Sequence, residues 1–243
     1  MQRGLYSAAA GMVIADKWMS TISNNLANAS TTAFKRDSLI FQEGMERMMT
    51  QPGNSSEKVG GLGAGPAEAG FYTDWTAGQL SPTGNLFDFA IENDQAAFKV
   101  ITPRGELFSR TGVLALGPNS ELVNSGGGVV LDRSGVPIIV PPGELSIAQD
   151  GTVAVDGRRI AQIGIYTGEF KKVGDGMFEA NDATELDPSQ VRIRQGFIET
   201  SNVNTVQEMI SMIKLNRAFE MAQKSAQSQD ESTERLIGIL QGR

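Results

Sequence analysis

Apolar residues at both ends of this chain recur at the three- and four-residue spacing of a helical seam, and this pattern constrains the fold more than any other feature. Near the N-terminus the series is Leu5, Ala8, Met12, Ala15, Met19, Ile22 and Leu26, the a/d spacing with which one helix lies along another. At the C-terminus it is Met212, Leu215, Phe219, Ala222, Ala226, Gln229, Thr233, Leu236 and Leu240, with two polar members late in the run. The stretch between them reads as short strands, and strands cannot bury a helical stripe while keeping their own period of two. The two ends are therefore expected to pack on each other or on other copies of themselves, which points to an assembly protein.

Each helix is apolar beyond its seam. Val13, Ile14 and Trp18 lie beside or outside the Leu5 to Leu26 stripe, and Val206, Ile210 and Ile213 form a second stripe turned away from Met212, Leu215 and Phe219. A two-helix hairpin would leave one of these faces wet, the mark of a further protein contact. The seams are also rich in Ala and Met, which bury less area than Leu or Ile. At about 25 cal/mol per Å² an isolated pair is marginal, and assembly would supply the missing burial. The plainer alternative is an ordinary intramolecular helix pair capping a β domain.

Composition removes most chemistry. The 243 residues include no cysteine and no histidine, which excludes disulfide frameworks, thiolate or imidazole metal sites, Ser-His-Asp triads and Cys-His dyads. A net charge of -7 without a basic stripe argues against a nucleic-acid partner. The uncharged stretch Gly4 to Ala15 is closed by Asp16 and Lys17. It is too short and too rich in Ala and Gly to span a membrane, and it does not read as a signal peptide. No cofactor, no metal, no small-molecule substrate and no catalytic residue is expected.

Along the chain, residues 3 to about 28 are helical by period, and Asn24, Asn25, Asn28 and Ser30 are expected to end that helix by competing for its backbone hydrogen bonds. From Thr31 to Met49 neither period is clean. Gln51 to Gly70 is rich in Gly and Pro and reads as a flexible or extended linker. From Phe71 to about Ile198 the text is β, with short runs at Leu86 to Ile91, Phe98 to Thr102, Val129 to Leu131 and Ile160 to Tyr166. Asp150-Gly151, Asp156-Gly157 and Asp175-Gly176 mark tight turns. Pro137, Pro141 and Pro142 make Ile138 to Val140 an edge strand or strand end. Thr205-Val206-Gln207-Glu208 reads as a capping box that starts the C-terminal helix.

Three features invite a chemical reading and have plainer ones. Gly60 to Gly65 superficially resembles a phosphate loop, but no Lys-Ser/Thr follows it. The Asp-Gly pairs are too irregularly spaced for a calcium repeat or a catalytic carboxylate pair, and each suits a turn. Tyr6 and Trp18 are residue types of an interfacial membrane helix, but that helix lacks a Lys/Arg-rich polar face.

Met1-Gln2-Arg3-Gly4-Leu5-Tyr6-Ser7-Ala8-Ala9-Ala10-Gly11-Met12, followed by Ile22-Ser23-Asn24-Asn25-Leu26-Ala27-Asn28 and on to Thr32-Ala33-Phe34-Lys35, resembles the N-terminal signature of bacterial flagellar basal-body rod and hook proteins. Gln195-Gly196-Phe197-Ile198-Glu199-Thr200-Ser201-Asn202-Val203-Asn204, then Glu208-Met209-Ile210 and Asn216-Arg217-Ala218-Phe219-Glu220, is similar to the family's C-terminal signature, and Thr83-Gly84-Asn85 to its central strand motif. The resemblance implies a mixed α and β fold: a discontinuous terminal-helix coiled-coil domain, unfolded in the free monomer and lining the axial tube, plus a β-rich, irregular antiparallel sheet domain. The boundaries expected are 1–33 with 200–243 for the helical assembly domain, 34–74 for the extended linker and 75–199 for the β-rich domain. Ser23, Asn24, Asn25, Asn28, Asn202, Asn204 and Arg217 are the signature residues.

The function implied is a non-enzymatic rod subunit that assembles helically and transmits torque through the periplasm. Its partners would be copies of itself, neighbouring rod and possibly hook axial proteins, and the flagellar type III export apparatus. Where the family often has Gly-Asp-Gly-Phe-Phe, this chain has Asn93-Asp94-Gln95-Ala96-Ala97-Phe98, so that turn must differ. Its absence and the short length favour a proximal-rod type over a distal one. The alternative is a β-rich secreted or surface protein, adhesin-like or hydrolytic, oligomerised by its terminal helices.

Overall fold

The computed structural model describes residues 2–43, 47–51, 54–62 and 66–241. They divide into two compact units, one drawn from Met1–Ala27, Asp37–Tyr72 and Asn204–Arg243, the other from Asn28–Arg36 and Thr73–Val203. The fold is mixed α and β, with one helix at each end and a β-rich stretch between them.

The first unit holds helix α1, Gln2–Ala27, and helix α2, Thr205–Gln241. Both follow the period of their apolar residues. Asn25 does not end α1 as its side-chain chemistry suggests. It lies inside the helix, fully buried, and its amide donates to the Asp37 carbonyl at 2.8 Å while accepting the Asp37 N–H at 3.0 Å. The stop comes from Asn28, whose carbonyl accepts the Thr31 N–H and whose side chain accepts the Thr31 hydroxyl.

The start of α2 is also one residue earlier in its capping than the sequence suggests. Asn204, not Thr205, is the cap: its side-chain oxygen accepts the Gln207 N–H at 3.1 Å and its carbonyl the first helical bond from Glu208 at 3.0 Å. An amide oxygen serves this purpose as well as a hydroxyl does. Glu208 then sits buried in the first turn, where the helix dipole favours negative charge.

The stretch 34–74 is not a featureless linker. Asp37–Glu43 pairs with Pro66–Thr73, and Arg47–Gln51 pairs antiparallel with Asn54–Leu62, so the two pairings are nested as in one long ribbon. Main-chain pairing needs only donors and acceptors, which glycine carries as every non-proline residue does, so a Gly-rich ribbon leaves no apolar period to read. Gly63 and Gly65, which contributed to the linker reading, lie outside the described residues.

The second unit is antiparallel and irregular, as the short strand runs imply. Its largest sheet runs Lys171–Gly174, Met177–Glu179, Gly105–Ser109, Ala96–Thr102, Val129–Val130, Leu122–Asn124, Leu114–Leu116, and Ile165–Thr167 joins it on Ala96–Thr102. A three-stranded sheet, Leu145–Ile147, Thr152–Val155 and Arg158–Gln162, stands apart from it. Phe89, Phe98, Val100, Leu122, Val130 and Ile163 are among the residues of the main core, and Trp75, Phe108, Tyr166, Phe170 and Phe178 form a second, aromatic cluster.

The turn residues act as expected. Asp156-Gly157 and Asp175-Gly176 are two-residue hairpin loops with both residues at positive φ, the conformation that matches strand twist. The run Ile160 to Tyr166 is interrupted at Ile163-Gly164 and becomes two strands. Ile138 to Val140 makes one isolated bridge, Ile139 to Glu121, rather than a strand, consistent with the prolines around it.

Candidate assembly site

Within the first unit, Ala15, Ile22 and Leu215 are buried together, and Trp18, Met19, Met212 and Phe219 pack against them. The burial follows the spacing. Along α2, residues 212, 219, 222, 226 and 229 are partly covered, whereas nearly all others beyond its first turns are exposed. Ala8, Met12 and Leu26 are partly covered on α1. The side chains of Leu5, Leu236 and Leu240 lie outside the described residues. Trp18, placed by spacing at the margin of the second face, belongs to this cluster.

The rest of the second face is wet. Val206 and Ile213 are 64% and 54% exposed, and Met209, Ile210 and, on α1, Val13 stand open with them. Ile14 is half-buried. At 3.6 residues per turn, Val206, Met209, Ile210 and Ile213 project from the side of α2 roughly opposite Leu215. Of the signature residues, Ser23, Asn24, Arg217 and Asn204 are exposed, Asn204 as the cap of α2.

The second unit contains a buried ionic cluster that seam-reading could not find. Glu199 accepts from Lys35 Nζ at 2.7 Å on one carboxylate oxygen and from Arg110 Nε at 2.6 Å on the other, and all three side chains are nearly inaccessible to water. The remaining donors are also placed. Lys35 Nζ reaches the Thr76 carbonyl, Arg110 reaches the carbonyls of Asn93, Ala96 and Ile91, and the Gly78 N–H adds a further bond to Glu199.

Burial acts on both signs of charge. It pulls the Lys35 ammonium below its ordinary pKa, helped by the neighbouring Arg110 charge. It pushes the Glu199 carboxyl up, but Arg110 and Lys35 together outweigh it and hold that carboxyl below its ordinary value. Lys35 and Glu199 both lie inside the quoted signature stretches. A charged residue in a short motif beside helix-ending residues was the available signal, but a single sequence gives no means of pairing positions 164 apart.

Around this cluster the two chain ends are joined. Ala33 N–H donates to the Glu199 carbonyl at 2.8 Å, the Asn202 side chain accepts Arg36 N–H at 2.8 Å, and the same side chain donates to the Asp74 and Thr76 carbonyls. Lys172 Nζ bonds the Lys35 carbonyl and lies 3.9 Å from the centre of the Phe34 ring. The Thr83-Gly84-Asn85 motif meets the C-terminal signature directly: Thr83 and Gly84 N–H both donate to the Gly196 carbonyl.

The carboxylates considered for chemistry hold turns. Asp150 accepts the backbone N–H and hydroxyl of Thr152, and the first of these bonds is the main reason its pKa lies below the ordinary value. Asp156 accepts the Glu144 N–H. Among the described residues no group of three or more Asp or Glu is placed to hold a metal, and no helix is long and apolar enough to cross a membrane.

A helix at each end of the chain, the two packed along a seam, with a β-rich stretch between them and an exposed apolar helix face, is the arrangement of a structural subunit that meets other proteins. The comparisons agree. Residues 5–35 match the family described as flagella basal body rod protein, and residues 194–239 match the flagellar basal body rod FlgEFG protein C-terminal family. The flagellar basal-body rod protein FlgF of Mesorhizobium japonicum is 35% identical, with 97% of this chain and 98% of the relative covered. FlgF of Rhizobium meliloti is 32% identical over 100% and 99%, and the rod protein FlgG of Bacillus subtilis 27% identical over 98% and 99%. The chain belongs to the flagellar basal-body rod protein family and is a structural subunit of the rod.

Proposed function

We infer that α1 and α2 form a coiled-coil element that assembles helically with neighbouring subunits into the axial tube, and that the rod built this way carries torque through the periplasm. The observation that supports this best is the apolar face of α2 made by Val206, Met209, Ile210 and Ile213, exposed on the side turned away from the seam already occupied by α1. A face of that kind gains burial only against another protein. Its partners are copies of the chain and neighbouring rod axial proteins, hook proteins among them. Export passes through the flagellar type III apparatus, and the subunit has no catalytic activity. The FlgF type is favoured over FlgG, since the first three relatives, at 31–35% identity, carry that name. The short length and the missing Gly-Asp-Gly turn favour the proximal-rod type.

In the free subunit α1 and α2 exchange their amide hydrogens quickly, because helix nucleation is costly and an Ala/Met seam buries little by itself. The test of the face is Ile213→Asp. The expected result is a soluble subunit whose β-rich unit melts normally and which builds no rod; normal basal-body counts would contradict the reading.

A further inference from the structure

The most buried ions of the second unit sit where the stretch after α1 meets the stretch before α2. The stretch after α1, Asn28–Arg36, belongs to the same unit as the stretch that leads to α2. They are tied through Lys35 to Glu199, Ala33 to Glu199, and both Phe34 and Arg36 to Asn202. Lys35, with no exposed side-chain surface, is satisfied only when Glu199 and the Thr76 carbonyl are both in place.

A buried ionic cluster is weak evidence for stability, since well-packed apolar groups of similar volume often do as well. Its stronger property is that it accepts one arrangement only, because a displaced partner leaves a charge buried alone. The helices need such a device. Every copy of the chain offers the same α1 and α2 seams, so exchange of helices between copies is chemically equivalent to pairing within one.

We propose that Lys35, Arg110 and Glu199, together with Asn202, form a lock that holds the two helix-bearing ends side by side and so directs α1 to pair with α2 of its own chain. The proposal rests on the reading of the seam as the assembly element. Short tethers give an effective concentration in the millimolar range, above that of free subunits, and the advantage falls as the tether lengthens. Releasing residues 28–36 would lengthen one tether by the whole stretch up to Thr73.

The chain has no cysteine, so Met19→Cys with Met212→Cys places two unique thiols in the seam cluster of the full-length protein. A short bismaleimide then reports whether the helices meet within one chain or between two, read as one-chain or two-chain mass on a denaturing gel. With the lock intact the product is intrachain across a hundredfold dilution. Lys35→Ala keeps the Arg110–Glu199 pair, and Asn202→Ala touches neither ion. Each is expected to raise the interchain share at high concentration at least about fivefold and to speed amide exchange in residues 28–36. An unchanged interchain share in both variants, with or without faster exchange, overturns the lock. So does interchain product that dominates before any lock substitution. Absence of either product in assembled rods removes the seam reading itself, which separates the two failures.

Discussion

Arg110 Nε lies 2.6 Å from Glu199 Oε2 in a region closed to water, although the two residues are 89 positions apart in the chain. The second oxygen of the same carboxylate takes Lys35 at 2.7 Å. One acid thus balances two bases, and the three residues come from the N-terminal signature, the middle of the β-rich unit and the C-terminal signature.

Removing the acid is therefore worse than removing either base. Glu199→Gln leaves two buried cations facing an amide and is expected to lower the stability of the β-rich unit by about 3–5 kcal/mol. Lys35→Met, which keeps the Arg110–Glu199 pair, should cost less. Urea unfolding of the three proteins checks the order, and equal losses would contradict it.

Acid should weaken the same unit. Because the folded Glu199 carboxyl lies below its ordinary value of 4.5, the folded state binds its proton later than the unfolded chain does. Its contribution is present above that ordinary value and is lost as pH falls through the lower folded one. Lys35 works in the alkaline range with the opposite origin: its folded pKa lies below 10.5, so stability rises with pH between the two values. The urea midpoint measured from about pH 6 to about pH 2 should fall, and Glu199→Gln should flatten that fall.

Two glycines are required by close approach rather than by φ. A Cβ on Gly112 would stand 1.7 Å from the Phe89 carbonyl oxygen, and one on Gly78 1.9 Å from that of Thr200. Either change to Ala forces backbone to move and is expected to cost about 1–3 kcal/mol or more. Gly11, inside α1, meets nothing within 4 Å, and Gly11→Ala should favour that helix by about 1 kcal/mol. Thermal melting of the β-rich unit reads the first two changes, and helix content by circular dichroism reads the third.

The turn that departs from the family pattern carries strain. Gln95 has φ of 46°, a conformation in which a Cβ crowds the backbone. Gln95→Gly removes that crowding and should stabilise the β-rich unit by up to about 1 kcal/mol, less the entropy glycine adds to the unfolded chain. A loss of stability on this change would show that the Gln95 side chain makes up for its backbone.

What could be read without the structure follows from range. The seams, the hairpin turns at Asp156 and Asp175 and the short antiparallel strands are local, fixed by spacing or by the φ preference of neighbouring residues. Asn25 reads as a helix stop because an asparagine near a helix end competes locally for backbone, whereas in the structure it serves Asp37, 12 positions on. The four paired strands between Asp37 and Thr73 have no apolar period, so the pattern carries no trace of their pairing. The ionic cluster joins positions 35, 110 and 199, and nothing local in the sequence connects them.

The central claim is that the α1/α2 seam builds the rod, and Ile22→Asp addresses it most directly. Ile22 is 1% exposed in the cluster with Ala15 and Leu215, and a carboxyl buried there without a partner costs more than a buried neutral polar group does, which is already several kcal/mol. Paired measurements are needed: thermal melting of the purified variant, and basal-body counts with motility in cells carrying it. The account predicts a soluble subunit whose β-rich unit melts like the parent, in cells with no completed rods. Normal rods and normal motility from this variant would contradict it.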